Sequence, residues 1–370
     1  MIKILSKYNF FKSKKGKPLC FISNTEILMF KKWKLYNYNI LHDKFYYICD
    51  FPTTVMRKNL SKIRLFERKY GLDNIQGVKL DSKNFLLMEH YKIYLLNYNT
   101  KKIELVSHNN RYRALNLTVI NKNVYFGDYK YNPNKDEMSI YCYNLYKNKI
   151  YKIFTFKRGE INHIHNIIYD NLRNKIYILT GDFENSAAIY ETDLEFKNLK
   201  VLCKGEQLYR ACQGIIYKNN LFWVTDTPME DNYVLKLDLL TKKIEKVSFK
   251  INGSCIYGMR TGKYLFFSTT VENQTLEKNN KKNKYSYKKG KGILDWNVHQ
   301  YIFDCETYKL VEFLKLKKDI YPMLEFKYGA CIYPQDVYNS DYLVFYGQAV
   351  KKYDGKTILL NKREIIKECL

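Results

Sequence analysis

The feature that most constrains this chain is internal repetition. Five segments share one plan: IQGVKLDSKNFLLMEHYKIYLLNYNTKKIELV from Ile75, LNLTVINKNVYFGDY from Leu115, IHNIIYDNLRNKIYILTGD from Ile164, CQGIIYKNNLFWVTDTP from Cys212 and CIYGMRTGKYLFFSTT from Cys255. Each has a short strand, a tight polar turn, and a second strand ending in an acidic or polar residue. A strand–turn–strand hairpin such as SIYCYNLYKNKIYKIF or YVLKLDLLTKKIEKVS follows, alternating Tyr, Val, Ile and Leu with Lys and Asn. The anchors lie 40, 49, 48 and 43 residues apart; CIYPQDVYNSDYLVFYGQA follows from Cys331 after a further 76, and a fainter unit starts near Leu19. Four strands per period of about 40–50 residues is the pattern of a β-propeller. One four-stranded sheet cannot cover both its faces, so sheets stack in a ring until the ring closes.

The expected fold is therefore all-β: one propeller domain over 1–370, with seven blades preferred and six possible. No amphipathic stretch of helical period competes with the strands. The excess before Cys331 is a Lys-rich surface insertion, 273–292, within a late blade. Either 1–7 or 356–367 is expected to supply the outer strand of the last blade.

Composition bounds the function. Sixty-three Lys and Arg against 37 Asp and Glu give a net charge of +26, yet Lys rises together with Asn, Ile and Tyr and concentrates in turns such as Thr100-Lys101-Lys102 and Thr241-Lys242-Lys243. The dense run 278–291 lacks any nucleic-acid-binding signature, so a nucleic-acid partner is not expected. Thirty-six Tyr and 21 Phe exclude disorder for most of the chain. Nine scattered cysteines without a C-x-x-C pair fit neither a disulfide scaffold nor a zinc finger. Lysines break every apolar run near the N-terminus, and no stretch reaches membrane-spanning length; the expectation is a cytoplasmic protein without membrane insertion.

Candidate site residues follow from the repeat. In a propeller the first strand of each blade lines the central channel. The residues after four successive anchors are Gln76, Asn116, His165 and Gln213, a polar ring that could bind substrate or simply hold water. The second strands end at His90, Asp128, Asp182, Asp226 and Thr270. The three aspartates could serve as acid/base groups or as turn caps. Entry loops repeat Tyr-Arg-Ala, placing Arg113 and Arg210 at one height in blades separated by one. Their planar forks suit a carboxylate or phosphate, or a tie to neighbouring aspartates. Between them, His163 and His165 share one strand face and could act as bases. No cofactor is required, although His163, His165 and Asp182 could hold a divalent metal.

EINHIHNIIYDNLRNKIYILTGD, GEQLYRACQGIIYKNNLFWVTDTPMEDN, STTVE and FYGQAVKKYDG, spread over 112–355, resemble the sialidase-like (BNR-type) propeller proteins associated with polysaccharide metabolism. The resemblance implies an arginine cluster for a substrate carboxylate, with Arg113 and Arg210 as members and Arg260 as a further candidate. It also implies a Tyr/Glu nucleophile pair and an aspartic acid/base at Asp128, Asp182 or Asp226. The expected function is a carbohydrate-active propeller, a glycosidase or polysaccharide lyase, acting on or binding an acidic saccharide at the channel face. The alternative is a non-catalytic propeller that scaffolds a protein partner or binds glycan.

Overall fold

A computed structural model describes residues 11–110, 112–276, 284–335 and 340–370. Seven four-stranded antiparallel sheets are arranged as blades. Blades 1 to 6 cover 17–50, 75–108, 118–156, 163–204, 211–246 and 255–317 in chain order, each running from an inner strand to an outer one. Six blades are thereby excluded.

The seventh blade closes the ring with strands from both ends of the chain. Ala330–Ile332, Tyr342–Gln348 and Lys356–Asn361 are its first three strands, and Phe11–Lys15 is its outer strand. Phe11 pairs with Leu360 and Lys15 with Lys356, so the C-terminal segment expected as the outer strand is instead the third. Residues 1–7, the other expected source, lie outside the described residues. The C-terminal helix Lys362–Cys369, capped by the Asn361 side chain on the Arg363 and Glu364 N–H groups, follows directly.

Strand alternation explains why blades must stack. In the second strand of blade 4, Lys175–Gly181, Ile176 and Ile178 enter a cluster with Ile120, Ile140 and Ile164 of neighbouring strands. Tyr177 and Leu179, pointing the other way, pack with Trp223, Leu235 and Leu237 of blade 5. Both faces are buried, and each such side chain contributes about 1.5–3 kcal/mol relative to exposure. The lysine-rich hairpin turns stay at the surface, where Lys101 and Lys242 adopt φ of 57° and 62°, the left-handed conformation that tight turns need.

A charged staple reinforces the closure. The connection from blade 1 to blade 2 carries helix Arg64–Lys69, whose Arg64 bridges Asp73 at 2.7 Å and Asp354 of blade 7 at 2.8 Å. Arg68, fully buried, reaches Asp319 and the Phe326 carbonyl between blades 6 and 7. The Lys-rich insertion forms a two-stranded hairpin, Asn273–Leu276 with Lys284–Lys289, between the second and third strands of blade 6. Its Tyr287 donates to Glu325 at 2.7 Å; much of the dense lysine run lies outside the described residues. None of the nine cysteines forms a disulfide, and among the described residues no helix is long and apolar enough to cross a membrane.

Removing residues 1–15 takes away the outer strand of blade 7 and leaves Lys356–Asn361 with an unpaired edge. The truncated protein is expected to melt about 10 °C or more below the full chain, with rapid hydrogen exchange at 356–361 and self-association on gel filtration. An unchanged melting temperature would show that the terminal pairing contributes nothing.

Candidate functional site

In antiparallel blades the connection from one outer strand to the next inner strand lies on the same face as the turn between second and third strands. Arg113 and Arg210 enter from the first kind of connection and Asp182 and Asp226 leave by the second, so all four lie on one face. Backbone pairing fixes their equivalence: the Tyr129 N–H donates to the Arg113 carbonyl at 2.7 Å, as the Asp226 N–H does to the Arg210 carbonyl at 2.9 Å. The two arginines are therefore equivalent, as expected. Asp128 is not equivalent to Asp226; Tyr129 is. Shifted by one residue, Asp128 is buried and its Oδ2 accepts the Ser139 N–H at 2.9 Å, the turn-capping alternative.

A second one-residue shift governs the histidines. The inner strands of blades 4, 5 and 6 break register at Ile164/Asn166, Ala211/Gln213 and Cys255/Tyr257, setting His165, Cys212 and Ile256 out of the ladder. Such bulges re-aim side chains. The structural equivalent of Gln213 is thus Asn166, not His165. Asn116, Asn166 and Gln213 each donate to the carbonyl of the bulged residue in the next blade, His165, Cys212 and Ile256, at 2.8, 2.8 and 3.0 Å. Gln76 does the same to Ala114 at 2.9 Å. The expected polar ring exists, and its amides tie blade to blade.

The bulge brings His165 beside His163 and Asp182. His163 Nε2 lies 3.1 Å from Asp182 Oδ2 and His165 Nε2 3.2 Å from Asp182 Oδ1. Each ring faces a backbone carbonyl through Nδ1, that of Lys130 at 3.2 Å for His163 and that of Ala211 at 2.9 Å for His165. In the tautomer that donates Nδ1–H to those carbonyls, both Nε2 lone pairs face the Asp182 carboxylate, the arrangement of ligands around a cation. Three acceptors converging on one point form a group whose ligand atoms lie within 4.8 Å of one another, suited to a cation. Histidine donating its other N–H to a carbonyl is the usual outer-shell support of a metal ligand.

Arg210 sits behind this group. It contacts Asp182 Oδ1 at 3.1 Å, the Asp182 carbonyl at 3.1 Å and Asp226 Oδ2 at 3.4 Å. Burial alone would raise the Asp182 carboxyl, but the Arg210 charge, the largest opposing influence, holds it well below the usual carboxylate range. Asp226 goes the other way: burial pushes it well up, and although Arg210 opposes this, the charges of Glu272 and Asp182 add to it. Two neighbouring aspartates, Asp182 lying one position beyond the equivalent of Asp226, are thus split into an anion and a proton carrier. Burial keeps the His165 imidazole below its ordinary value. Cys212, missed by sequence reasoning because it is one cysteine among nine, lies 3.3 Å from both His165 Nδ1 and Asp226 Oδ2. Glu272, also missed, accepts from Thr270 at 2.7 Å and from Ser254, rather than from a tyrosine, so the Tyr/Glu pair implied by the sialidase resemblance does not form there.

Tyr129 connects the group to open space. Its ring lies 4.6 Å from that of His163, and it lines a cavity of about 350 Å³ on the same face. Lys17, His90, Arg113 and Lys327 line this cavity too, and among the described residues no carboxylate does. Lys327 is held by Asp73 at 3.1 Å, whereas Arg113 has no acidic partner among the described residues. His90 gives Nε2 to the Gly71 carbonyl at 3.1 Å, and burial, reinforced by the Arg57 and Arg113 charges against Glu89, lowers its pKa. The end of the second strand in MEHY was its only sequence signal. Arg260 is absent from this face; it lies near the other end of its strand.

No protein-family model matches the chain, and no curated protein matches its sequence. Its fold is similar to an oligogalacturonate lyase in complex with manganese, at TM-score 0.60 and 8% identity over 95% of this chain and 90% of that one. An oligogalacturonate lyase from Vibrio parahaemolyticus gives 0.57 and 9%, over 94% and 89%. A chain of the mitotic checkpoint complex gives 0.55 and 8%, over 95% and 90%. The likeness is one of fold, shared by an enzyme and an assembly protein alike.

Replacing Arg210 by Met leaves the buried Asp226 and the partly buried Asp182 without their cation and is expected to cost about 3 kcal/mol in urea denaturation. The pH dependence has two signs. Stability from Asp182 is present above about pH 4, its unfolded value, and is lost as pH falls through its depressed folded value. Asp226, raised on folding, costs stability progressively as pH rises from about 4 toward its folded value. Asp226→Asn should therefore gain on the wild type between pH 4 and 8, and a parallel pair of stability curves would contradict the assignment.

Proposed function

We propose that this propeller is a polysaccharide-lyase-type enzyme that cleaves a short uronate-containing saccharide by β-elimination in the cavity between Arg113, His90 and Tyr129. The observation that carries the reading is an unpartnered arginine beside an imidazole of lowered pKa, in a cavity lined by cations and no carboxylate. The fold likeness to oligogalacturonate lyases, one described in complex with manganese, supports the substrate class.

Arg113 takes the uronate carboxylate in its planar fork, which makes the adjacent C–H more acidic. His90, with Nε2–H held by the Gly71 carbonyl, presents Nδ1 as the base that removes that proton. The electron pair becomes the new carbon–carbon double bond and expels the oxygen at the β carbon. The Tyr129 hydroxyl hands that oxygen a proton; burial, with the Asp182 charge next in weight, holds its pKa well above the ordinary phenol value, so it is protonated beforehand. His163 and His165 direct their lone pairs at Asp182, so in this reading they are ligands and the base role expected of them passes to His90. His163, His165 and Asp182 would hold Mn²⁺, which when bound offsets the negative charge that develops as the proton leaves.

Purified protein given oligogalacturonate and Mn²⁺ is expected to release unsaturated uronate, followed by its ultraviolet absorbance. His90→Gln should lower kcat about 100-fold or more, and Arg113→Ala should raise KM about tenfold or more. kcat/KM should rise with pH through the His90 pKa, below about 6.5, and then level off. By calorimetry the chain should bind about one Mn²⁺, with Asp182→Asn weakening it tenfold or more. A folded, Mn²⁺-loaded protein inert on oligogalacturonate and other uronic-acid polymers would overturn the proposal.

A further inference from the structure

The channel is divided. Gln335 crosses it below the cavity just described, donating to Gln76 Oε1 and the Leu115 carbonyl, both at 2.7 Å, while its own Oε1 accepts the Leu117 N–H. Beneath this bar is a second, smaller space of about 40 Å³, lined from five blades by residues that include Asn116, Asn166, Gln213 and Arg260. Arg260 pairs with Leu265 in the inner strand Cys255–Thr261, five residues beyond Cys255. At roughly 3.3 Å per residue that is about 16 Å along the channel from the end where Asp226 and Arg210 sit.

Every other polar side chain just named has its partner. The Asn116, Asn166 and Gln213 amides bridge blades, and Gln335 has both its groups engaged. Arg260 has none among the described residues: its five N–H donors meet no acceptor there, and no described carboxylate lines the space. Arg64, Arg68 and Arg210 are tied down, Arg64 to Asp73 and Asp354, Arg68 to Asp319, Arg210 to Asp182 and Asp226, and the partly buried Arg113 faces the saccharide cavity. A guanidinium partly withdrawn from water without a counter-charge is costly, and burial pulls the Arg260 pKa down.

We infer that Arg260 and the surrounding channel wall form a binding site for one small monovalent anion, such as chloride, separate from the saccharide cavity. The space holds a few water-sized bodies, enough for a halide with a water and too small for a sugar. The anion supplies the missing counter-charge at a point where five blades meet, so its binding stabilises the ring rather than taking part in the chemistry on the opposite face.

Crystals grown in a large organic anion such as gluconate and soaked in bromide should show an anomalous peak within hydrogen-bond distance of the Arg260 guanidinium. Water alone at that position overturns the inference. In solution at constant ionic strength, replacing gluconate by chloride should raise the wild-type melting temperature by about 3 °C and leave Arg260→Leu unchanged. An equal rise in both proteins would mean general salt stabilisation and no site. Should Arg260→Leu fail to fold, the bromide experiment on the wild type decides alone. Because neither measurement involves turnover, the inference stands or falls independently of the proposed lyase activity.

Discussion

Everything in this molecule depends on a ring that closes between its two chain ends. Phe11–Lys15 hydrogen-bonds to Lys356–Asn361 across more than three hundred residues of chain. Once that strand is paired, every blade has two neighbours and every inward-facing side chain has a partner surface. Without it, blades 1 and 7 would each present a bare face, because their core residues, such as Met29 and Leu359, are shared in one cluster across the join. The arginine staple from Arg64 and Arg68 to Asp354 and Asp319 crosses the same region on the site face. Closure and the wall of the candidate site are therefore one piece of construction, with Lys17 at their common boundary.

The site itself is made by small irregularities in an otherwise regular array. A regular inner strand in blade 4 would leave His165 within the ladder, where the bulge instead turns it toward Asp182. The same displacement brings Cys212 to the flank of His165 and Asp226. Arg210 then sets the electrostatics: placed between two aspartates of adjacent blades, it keeps Asp182 ionised, while Asp226, more deeply buried and facing Glu272, keeps its proton. Arg113, at the equivalent place two blades away, has no such aspartates beside it and is left to face the cavity. Equivalent positions on a repeat thus diverge in role through their neighbours alone.

Much of this was legible in the sequence. The period and the alternation of Ile176, Tyr177, Ile178 and Leu179 are enough to require stacked four-stranded sheets, since only sheets covered on both faces need that pattern. The equivalence of Arg113 and Arg210 could be read from the repeated Tyr-Arg-Ala, and the proximity of His163, His165 and Asp182 from their places in one blade. Asp128 misled because FGDY and TGDF look alike while their strands differ in register by two residues. His90 was passed over because one histidine at a strand end carries no signal until a cavity is seen beside it.

The sequence by itself determined the grouping of strands by four into blades and the face on which the charged residues gather, because these follow from local periodicity and from the alternation of strands, while the choice of seven blades over six fell to the assembled ring. Tertiary structure alone decided which terminus closes the ring, where the bulges fall, and which charges are satisfied. Those depend on contacts between residues far apart in the chain: a bulge costs nothing that a sequence motif records, and an arginine is paired or unpaired only once all seven blades are in place. Arg210 and Arg260 are the same residue type on neighbouring blades, one wedged between two aspartates and one meeting none among the described residues, and only the assembled channel distinguishes them.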